Sequence, residues 1–328
     1  MTEATPCAVC SSQDGEVAFY AKGLQPKDPR FYVRRCSHCG LGWTEPQASD
    51  SEIGRWYSPA YYGKGNVRFN IAFEKLVRLF RSRRAKVIAR RTSKGAVLDV
   101  GCGRGLTLGY LQSMGYEPYG IEITEEGAWH ARHRLGIRVH TGDFMEAPFK
   151  PGQFNAVIFW HSLEHIRRPI EALLHVKKLL KPGGLLVIAV PNFGSLQAKL
   201  FGPYWFHLDI PRHYFHFSGA ALRTALHDLG FKIVQLDHFN FEQNPYGWLQ
   251  SFYNALGMQF NFLYSFLKNR TSRIIPIKKH PIQAVITLAL LPIFLPLSLS
   301  LTLLETVLRC GGTIDLYAVK GSGVTPKK

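Results

Sequence analysis

Four of the six cysteines occur near the start of the chain in two pairs of equal spacing, Cys7 with Cys10 and Cys36 with Cys39. Two such turns can present four thiolates to one tetrahedral zinc ion. The first residues are polar and lack the apolar core of a secretory signal, so we expect a reducing compartment in which disulfides do not form. We therefore predict a structural zinc module. Redox-active cysteines or a site without metal are the alternatives.

A second segment able to do chemistry, residues 99–105, follows a short apolar run. Its glycines, Gly101, Gly103 and Gly105, allow the backbone to approach a ligand closely. Asp99 lies two residues before the first glycine, where a carboxylate would repel a pyrophosphate but attract a cationic amine. The pattern therefore differs from the GxGxxG turn of dinucleotide-binding proteins.

This turn resembles motif I of class I S-adenosylmethionine (SAM) methyltransferases. Glu122 matches the family's ribose-binding acid, Asp143 matches the acid that reaches the adenine amine, and residues 180–184 match its LKPGG turn. The resemblance covers about 95–239 and 313–320. It implies a Rossmann-like seven-stranded sheet and SAM as the cofactor, bound by Asp99, Gly101, Gly103, Gly105, Glu122, Asp143 and Phe144.

An HxxEH segment, with His161, Glu164 and His165, follows the fourth predicted strand. Zinc hydrolases have the same order on a helix, which here would have to replace a strand end. In similar proteins, including the ubiquinone-biosynthesis O-methyltransferases, an ExxEH segment binds a divalent cation, and this chain has His161 in place of the first Glu. Local packing with SAM contact, His161 as a general base, and a metal site are all open.

Aromatic residues and histidines are concentrated in residues 204–216, after the fifth predicted strand. Apolar walls with a few polar groups are what an acceptor pocket needs. Because histidine can accept a hydroxyl proton near neutral pH, we predict His213 as the catalytic base and His161 as the second candidate. A structural role for His213 is the alternative.

Short apolar runs alternate with amphipathic helical patterns from about residue 95, which predicts a doubly wound, mostly parallel α/β sheet. In such a sheet the ligand binds beyond the carboxyl ends of the strands, where the motifs above lie. The predicted units are a zinc ribbon (1–45), an aromatic connector with a basic helix (46–94), a SAM-binding domain (95–244), an apolar helical insert (245–312), and the last strand with a tail (313–328).

The chain of 328 residues has a net charge of +17, and two segments hold most of the excess. Residues 64–94 contain eleven Lys and Arg against one acid, Glu74, and residues 268–279 contain five Lys and Arg and no acid. Solvated helix faces are one explanation, and an anionic partner is the other. Near an anionic leaflet each basic residue contributes about 1 kcal/mol to binding.

The run from Ile282 to Leu304 has 23 residues without a charge, enough to cross a bilayer, although Pro292 and Pro296 interrupt it. If 313–320 is the last strand of the sheet, both ends of the insert lie on one side of a membrane, which excludes a single span. A re-entrant hairpin broken at the prolines, two spans that use the chargeless 249–267, interfacial helices, and a buried soluble subdomain are the options.

These features predict a SAM-dependent methyltransferase that acts on a small-molecule, sugar or lipid-linked acceptor at the cytoplasmic face of the cell membrane. Its partner is then an anionic membrane surface, and the sequence leaves the oligomeric state open. One alternative is a zinc-ribbon RNA methyltransferase, which the charge favours and the apolar insert does not. Another is a non-catalytic membrane adaptor with the same fold. We do not expect a nucleic-acid partner.

Overall fold

The computed structural model describes residues 6–20, 30–56, 71–267 and 277–321. The strands in these ranges are β1 Gly15–Tyr20, β2 Tyr32–Cys36, β3 Gly42–Glu45, β4 Ala96–Val100, β5 Glu117–Glu122, β6 Arg138–Thr141, β7 Phe154–Trp160, β8 Leu180–Pro191, β9 Phe215–His216, β10 Phe231–Asp237 and β11 Thr313–Lys320. The α-helices are α1 Asp50–Trp56, α2 Ile71–Ala89, α3 Leu106–Ser113, α4 Glu125–Leu135, α5 Pro169–Leu179, α6 Leu196–Phe201, α7 Gly219–Asp228, α8 Asn244–Ala255, α9 Phe262–Leu267 and α10 Pro281–Val307.

The central sheet has seven strands in the order β10-β11-β8-β7-β4-β5-β6. Strands β4 to β8 are parallel, and β11 pairs antiparallel with both β8 and β10. Every residue of β4 is buried, as expected for a sheet covered by helices on both faces. The predicted Rossmann-like sheet is confirmed. Its topology brings the carboxyl ends of the parallel strands and the first residues of β11 to one edge, here called the carboxyl edge.

The helices begin and end at residues suited to those positions. The Thr124 hydroxyl before α4 accepts a hydrogen bond from the Gly127 N–H (3.1 Å), and α4 ends at Gly136 in the left-handed conformation (φ +65°). In α2, Ala85 and Ile88 are buried in the core, whereas most of the basic residues lie at the surface. The predicted basic helix therefore forms, and its described part ends at Ala89.

The cysteine-rich module shares a sheet with the larger domain. Strands β1, β2 and β3 pair antiparallel, and β9, from the chain that follows β8, pairs antiparallel with β3. The Thr44 hydroxyl of β3 donates to the His213 carbonyl oxygen (2.7 Å). The predicted unit 1–45 is therefore joined to the larger domain by hydrogen bonds, and the five-part division of the chain stays a prediction. Connector residues 57–70 lie outside the described residues.

The apolar insert contains α8, α9 and α10. The last of these runs without a break through Pro292 and Pro296, which does not fit the option of a hairpin broken at the prolines. Residues 249–267 are divided between α8 and the six-residue α9, which does not fit the option of a second span. Within the described ranges, α10 is the one helix long and apolar enough to cross a membrane, and only 17% of its most apolar window is buried. Residues 268–276, which carry three of the basic residues, lie outside the described ranges.

Candidate active site and cysteine cluster

The turn between β4 and α3 forms an open cradle at the carboxyl edge. Gly101, Gly103 and Gly105 have φ values of +81°, +51° and +69°, which residues with side chains rarely adopt. A Cβ added at Gly103 would have one neighbour within 4 Å, a carboxylate oxygen of Glu122 at 4.0 Å. The Gly103 N–H donates to that oxygen, Oε2 (2.8 Å), which fixes the turn against the end of β5. The cradle therefore has room for a ligand in contact with its backbone.

Two buried carboxylates lie beside this cradle. Glu122 accepts a second hydrogen bond at Oε1 from the Ile123 N–H (3.0 Å). Asp99 is 5% exposed, and its Oδ1 has no hydrogen-bond partner among the described residues. Burial raises the pKa of Asp99 to about 6; Arg84 and Arg81 oppose the rise, and Glu122 adds to it. A buried carboxylate oxygen that lacks a donor fits the cationic amine that the sequence predicts for the ligand.

A buried arginine lies next to Asp99. The Arg84 guanidinium carbon of α2 is 3.7 Å from the centroid of the Trp160 ring, and the side chain donates to Oε2 of Glu242 (2.9 Å). Arg81 pairs with the other oxygen of Glu242. Arg84 thus connects α2 to the end of β7 and places a positive charge at the carboxyl edge. The sequence shows it only as one residue of a basic run, because nothing in the run distinguishes the buried face from the solvated one.

The residues predicted at the adenine end of the site follow β6. Asp143 is exposed and accepts a hydrogen bond from the Met145 N–H (2.8 Å), which caps a short 3-10 turn. Phe144 is buried in the core. The Gly142 N–H donates to the Glu122 carbonyl oxygen (3.0 Å), so this turn lies against the end of β5. The structure therefore brings the acids of both strand ends to the same side of the cradle.

SAM affinity is expected to fall about tenfold between pH 7 and pH 5, because protonation of Asp99 (pKa about 6) removes the charge that attracts the amine. The sign follows from the ionised form being the one that binds, so acidification weakens the complex. Asp99→Asn should bind more weakly at pH 7 and show little change in this range. Calorimetric titration of SAM at several pH values measures the affinity of the wild type and of Asp99→Asn. A wild-type affinity that does not change between pH 7 and pH 5 would contradict the role of Asp99 in binding the amine.

His161 has the geometry of a general base with an orienting partner. It follows β7 in a left-handed backbone conformation (φ +55°), and its backbone N–H donates to the Ala189 carbonyl oxygen of β8 (2.8 Å). Nδ1 lies 3.4 Å from Oε1 of Glu164, whose side chain is 1% exposed. Nε2 is buried and has no hydrogen-bond partner in the described ranges. A carboxylate at Nδ1 leaves Nε2 as the nitrogen able to accept a proton.

His213, the first choice from the sequence, is less suited to that role. The side chain is buried, its Nε2 lies 3.7 Å from Oδ2 of Asp209, and its ring contacts that of His165 (4.7 Å between centroids). Burial, together with nearby His165, His216 and Arg212, lowers the pKa of His213 well below its usual range. Such an imidazole is a weak base. The structure therefore favours His161, and a catalytic role for either histidine stays a prediction.

Glu164, His165 and His213 could also hold a divalent metal ion. One ligand atom from each lies within 4.8 Å of the others. The buried Glu164 carboxylate accepts no hydrogen bond in the described part of the chain, and His161 Nδ1 is 3.4 Å from its Oε1. A buried carboxylate is costly unless a cation or donor compensates its charge, which a metal ion would do. The third ligand comes from a loop far along the chain, so the HxxEH spacing alone does not reveal this set. The third ligand of this set is His213, whereas the HxxEH motif suggests His161 in that place.

The four predicted zinc ligands converge. The Sγ atoms of Cys7 and Cys39, and those of Cys10 and Cys36, are 3.5 Å apart, and all four lie within 4.8 Å of one another. Four thiolates about 2.3 Å from a tetrahedral ion would have sulfur–sulfur separations of about 3.8 Å. Gly40 (φ +73°) follows the last ligand and donates its N–H to the Cys36 carbonyl oxygen (3.1 Å), which forms the knuckle turn. The cluster is compatible with a structural zinc ion.

Purified protein is expected to contain about one zinc ion per chain at this cluster, and Cys36→Ser should remove most of it. Because β2 ends at this ligand and β3 pairs with β9, loss of the metal should also lower the melting temperature by several degrees. Elemental analysis and thermal unfolding measure the two effects. Cys310→Ser, at a cysteine outside the cluster, is the matched control. Unchanged metal content in Cys36→Ser would show that these thiols do not bind the ion.

The chain belongs to a methyltransferase family, whose methyltransferase domain matches residues 72–236. Together with the sheet order and the cradle, this defines a domain with the class I methyltransferase fold. The ubiquinone biosynthesis O-methyltransferase of Maricaulis maris is 28% identical over 154 residues, which are 42% of this chain and 59% of that protein. That of Xanthomonas campestris is 36% identical over 114 residues, 32% of this chain and 47% of that protein. The chain thus spans about half the length of the curated relatives it matches.

Solved structures show the same fold at low sequence identity. A chain from the Haloferax volcanii complex between the Trm112 methyltransferase activator and a methyltransferase has a TM-score of 0.52 and 16% identity, and covers 85% of this chain and all of that chain. Phosphoethanolamine N-methyltransferase 2 of Haemonchus contortus, in complex with SAM, has a TM-score of 0.51 and 15% identity, and covers 86% of this chain and 64% of that chain. The glycine cradle and the partnerless Asp99 oxygen fit SAM in this chain as well.

Proposed function

We propose that this methyltransferase works at a cytoplasmic membrane surface, where α10 lies in the interface and a lipid-linked or otherwise apolar acceptor reaches the carboxyl edge from the bilayer. The observation that carries the proposal is the reversed polarity of α10. Its fully buried residues are small or polar, and its side toward solvent is aliphatic. A helix of a soluble protein has the opposite arrangement. Leu290, Leu291 and Phe294 add partly buried apolar contacts with the protein near the middle of the helix.

The residues that show this polarity lie along the whole helix. The buried ones are Ala284, Thr287, Ser298, Thr302 and Glu305. Thr287, Ser298 and Thr302 satisfy their hydroxyls within the helix, by donating to the carbonyl oxygen four residues earlier. Large aliphatic residues that are more than half exposed include Ile282, Val285, Leu288, Ile293, Leu303 and Val307. An apolar surface of this extent on a folded domain indicates a binding face.

Contacts at three levels hold α10 along the domain rather than projecting from it. Near its start, Oε1 of Gln283 accepts a hydrogen bond from the Gln259 N–H (3.0 Å). One turn later, the Tyr253 hydroxyl of α8 donates to the Thr287 carbonyl oxygen (2.7 Å). At its end, the Trp248 indole N–H donates to Oε2 of Glu305 (2.9 Å). A helix held along its length is suited to lie in the interface, so of the options from the sequence the interfacial one is favoured.

Polar side chains near α8 form a candidate acceptor site at the same edge of the sheet. Asp315, the third residue of β11, is buried and accepts a hydrogen bond from the Asn240 amide (3.0 Å). Burial raises its pKa to about 6, and His161 is close enough to oppose the rise. His207 is buried, and burial lowers its pKa to about 3, with His161 adding to the effect. His161 thus lies near both groups, between the cradle and the insert.

Methyl transfer to an acceptor hydroxyl or amine needs a base for the acceptor's proton and an acceptor held in line with the methyl group. Bound SAM supplies a methyl group on a sulfonium sulfur. The acceptor's nucleophile attacks the methyl carbon in line with the carbon–sulfur bond, and the sulfur leaves with the rest of the cofactor. Nε2 of His161 would take the acceptor's proton, and Glu164 would stabilise the resulting imidazolium through Nδ1. The buried surroundings exclude water, which strengthens both interactions.

Full-length protein is expected to float with anionic vesicles, and Ile293→Glu with Leu303→Glu should reduce the bound fraction by at least about tenfold, because each change places a charge on the apolar face of α10. High salt should release the wild type only in part, since screening leaves apolar insertion intact. Leu174→Glu, at an exposed leucine of α5, is the control and should float like the wild type. Wild-type protein that stays in the aqueous fraction when anionic vesicles are present would contradict the proposal.

A further inference from the structure

A cleft of about 580 Å³ lies at the end of α10, on the side of the sheet formed by β10. Three arginines from separate elements line it: Arg83 of α2, Arg223 of α7, and Arg309, which follows α10. Arg309 has φ +52°, a conformation that residues other than glycine seldom adopt. His238 also lines the cleft. The fold thus brings together positive charges that lie far apart in the sequence.

Three arginines and one acid, Asp237, line the cleft, so its lining has a net positive charge. No ion pair involves Arg83, Arg223 or Arg309 within the described part of the chain. The acid in the lining, Asp237, accepts two hydrogen bonds from the Gln235 amide (2.7 and 2.8 Å). Nδ1 of His238 is buried and has no hydrogen-bond partner in the same ranges. The cleft therefore has a net positive charge and three guanidinium groups without an ion-pair partner in the described ranges.

The surroundings of the cleft are apolar and exposed. Phe239, in its lining, is 38% exposed, and Val307 and Leu308, which lie between the lining residues Thr306 and Arg309, are 79% and 58% exposed. Guanidinium groups bind phosphate oxygens through paired hydrogen bonds, and aliphatic surface binds acyl chains. A phosphate next to an acyl chain is the chemistry of a membrane lipid at the bilayer interface.

We propose that the Arg83/Arg223/Arg309 cleft binds the phosphate of an anionic membrane lipid whose acyl chains lie against the end of α10. The inference rests on the membrane-surface function proposed above and adds a specific headgroup site to it. The site also places lipid beside the acceptor region, because Asp237 in its lining pairs with Asp315 across β10 and β11. A phosphate bound there would hold the carboxyl edge toward the bilayer.

Vesicle flotation with two lipid compositions tests the site. Phosphatidylcholine vesicles contain either phosphatidic acid, with an accessible phosphomonoester, or phosphatidylserine, at equal surface potential. We expect wild-type protein to bind the phosphatidic acid vesicles at least about tenfold more tightly, since paired guanidinium contacts favour an exposed phosphate over a diester. The cleft variant R83Q/R223Q/R309Q should lose this preference.

The control variant K75Q/K86Q/R90Q removes the same charge from exposed residues outside the cleft, two in α2 and Arg90 just after it. It should bind both vesicles more weakly and keep the preference for phosphatidic acid.

A cleft variant that keeps the preference, or a control that loses it equally, would overturn the headgroup site and leave membrane binding intact. Loss of the preference in micromolar inorganic pyrophosphate would assign the cleft to a soluble phosphate instead. Wild-type protein that binds neither vesicle would contradict the proposed function itself. Melting temperatures of both variants, equal to that of the wild type, verify folding.

Discussion

Replacing Gly103 with valine is expected to weaken SAM binding by at least about 10²-fold. Gly103 lies at the centre of the cradle at φ +51°, and its missing Cβ faces open space beside Glu122. A valine side chain would fill this space and keep a ligand from the backbone. The loss corresponds to about 2.8 kcal/mol of binding free energy. Isothermal titration with SAM measures it directly.

The control for this change is Gly136→Val. Gly136 also has a left-handed backbone (φ +65°) with nothing near its missing Cβ, but it ends α4 away from the cradle. It therefore has a similar backbone cost and no effect on the ligand space. Gly136→Val should lose stability by an amount close to that of Gly103→Val and bind SAM like the wild type. Equal SAM affinity in the two variants would show that the cradle is not the SAM site.

His161→Asn is expected to lower kcat by about 10²–10⁴ while the affinity for SAM changes little. The change removes the base and suits the backbone, because asparagine tolerates the left-handed conformation at φ +55° better than most residues. Turnover is measured as transfer of labelled methyl from SAM to an acceptor fraction from membranes. Glu164→Gln should cause a smaller loss, since it weakens the orientation of His161 but leaves Nε2 in place.

His213→Asn separates the two histidine assignments. If His213 only packs against His165 and Asp209, its loss should affect stability more than turnover. A strong loss of turnover in His213→Asn, with little change in His161→Asn, would return the base to the residue that the sequence favours. Turnover restored by an added divalent ion would instead support the Glu164/His165/His213 metal set.

The sequence predicts the central sheet well because its signals are local. β4 to β8 alternate with helices, as the alternation of apolar and amphipathic runs predicts, and β11 forms over Thr313–Lys320, the residues that the resemblance assigns to the last strand. The glycine turn is predictable for the same reason, since Gly101, Gly103 and Gly105 each need positive φ. Asp99 is predictable from its position before the glycine turn, whereas Glu122 comes from the resemblance to class I methyltransferases.

The features that the sequence could not show depend on contacts between distant segments. The pairing of β3 with β9 joins residues about 170 positions apart, and no local pattern indicates it. Which of the two histidines is better suited as the catalytic base depends on burial, because His213 is enclosed whereas His161 is partly exposed. Of the options for the apolar run, the hairpin broken at Pro292 and Pro296 does not occur, because both prolines lie within one continuous helix.

Transfer of labelled methyl groups to membrane lipid tests the central claim most directly. The purified protein, SAM labelled in its methyl group, and membrane vesicles from cells that lack this protein are incubated together, and the organic and aqueous phases are then counted separately. We predict label in the organic phase with wild-type protein, very little with Gly103→Val, and a strong reduction with the Ile293→Glu/Leu303→Glu variant. Label that appears only in RNA or in soluble compounds, with none in the organic phase, would contradict a methyltransferase that takes its acceptor from the membrane.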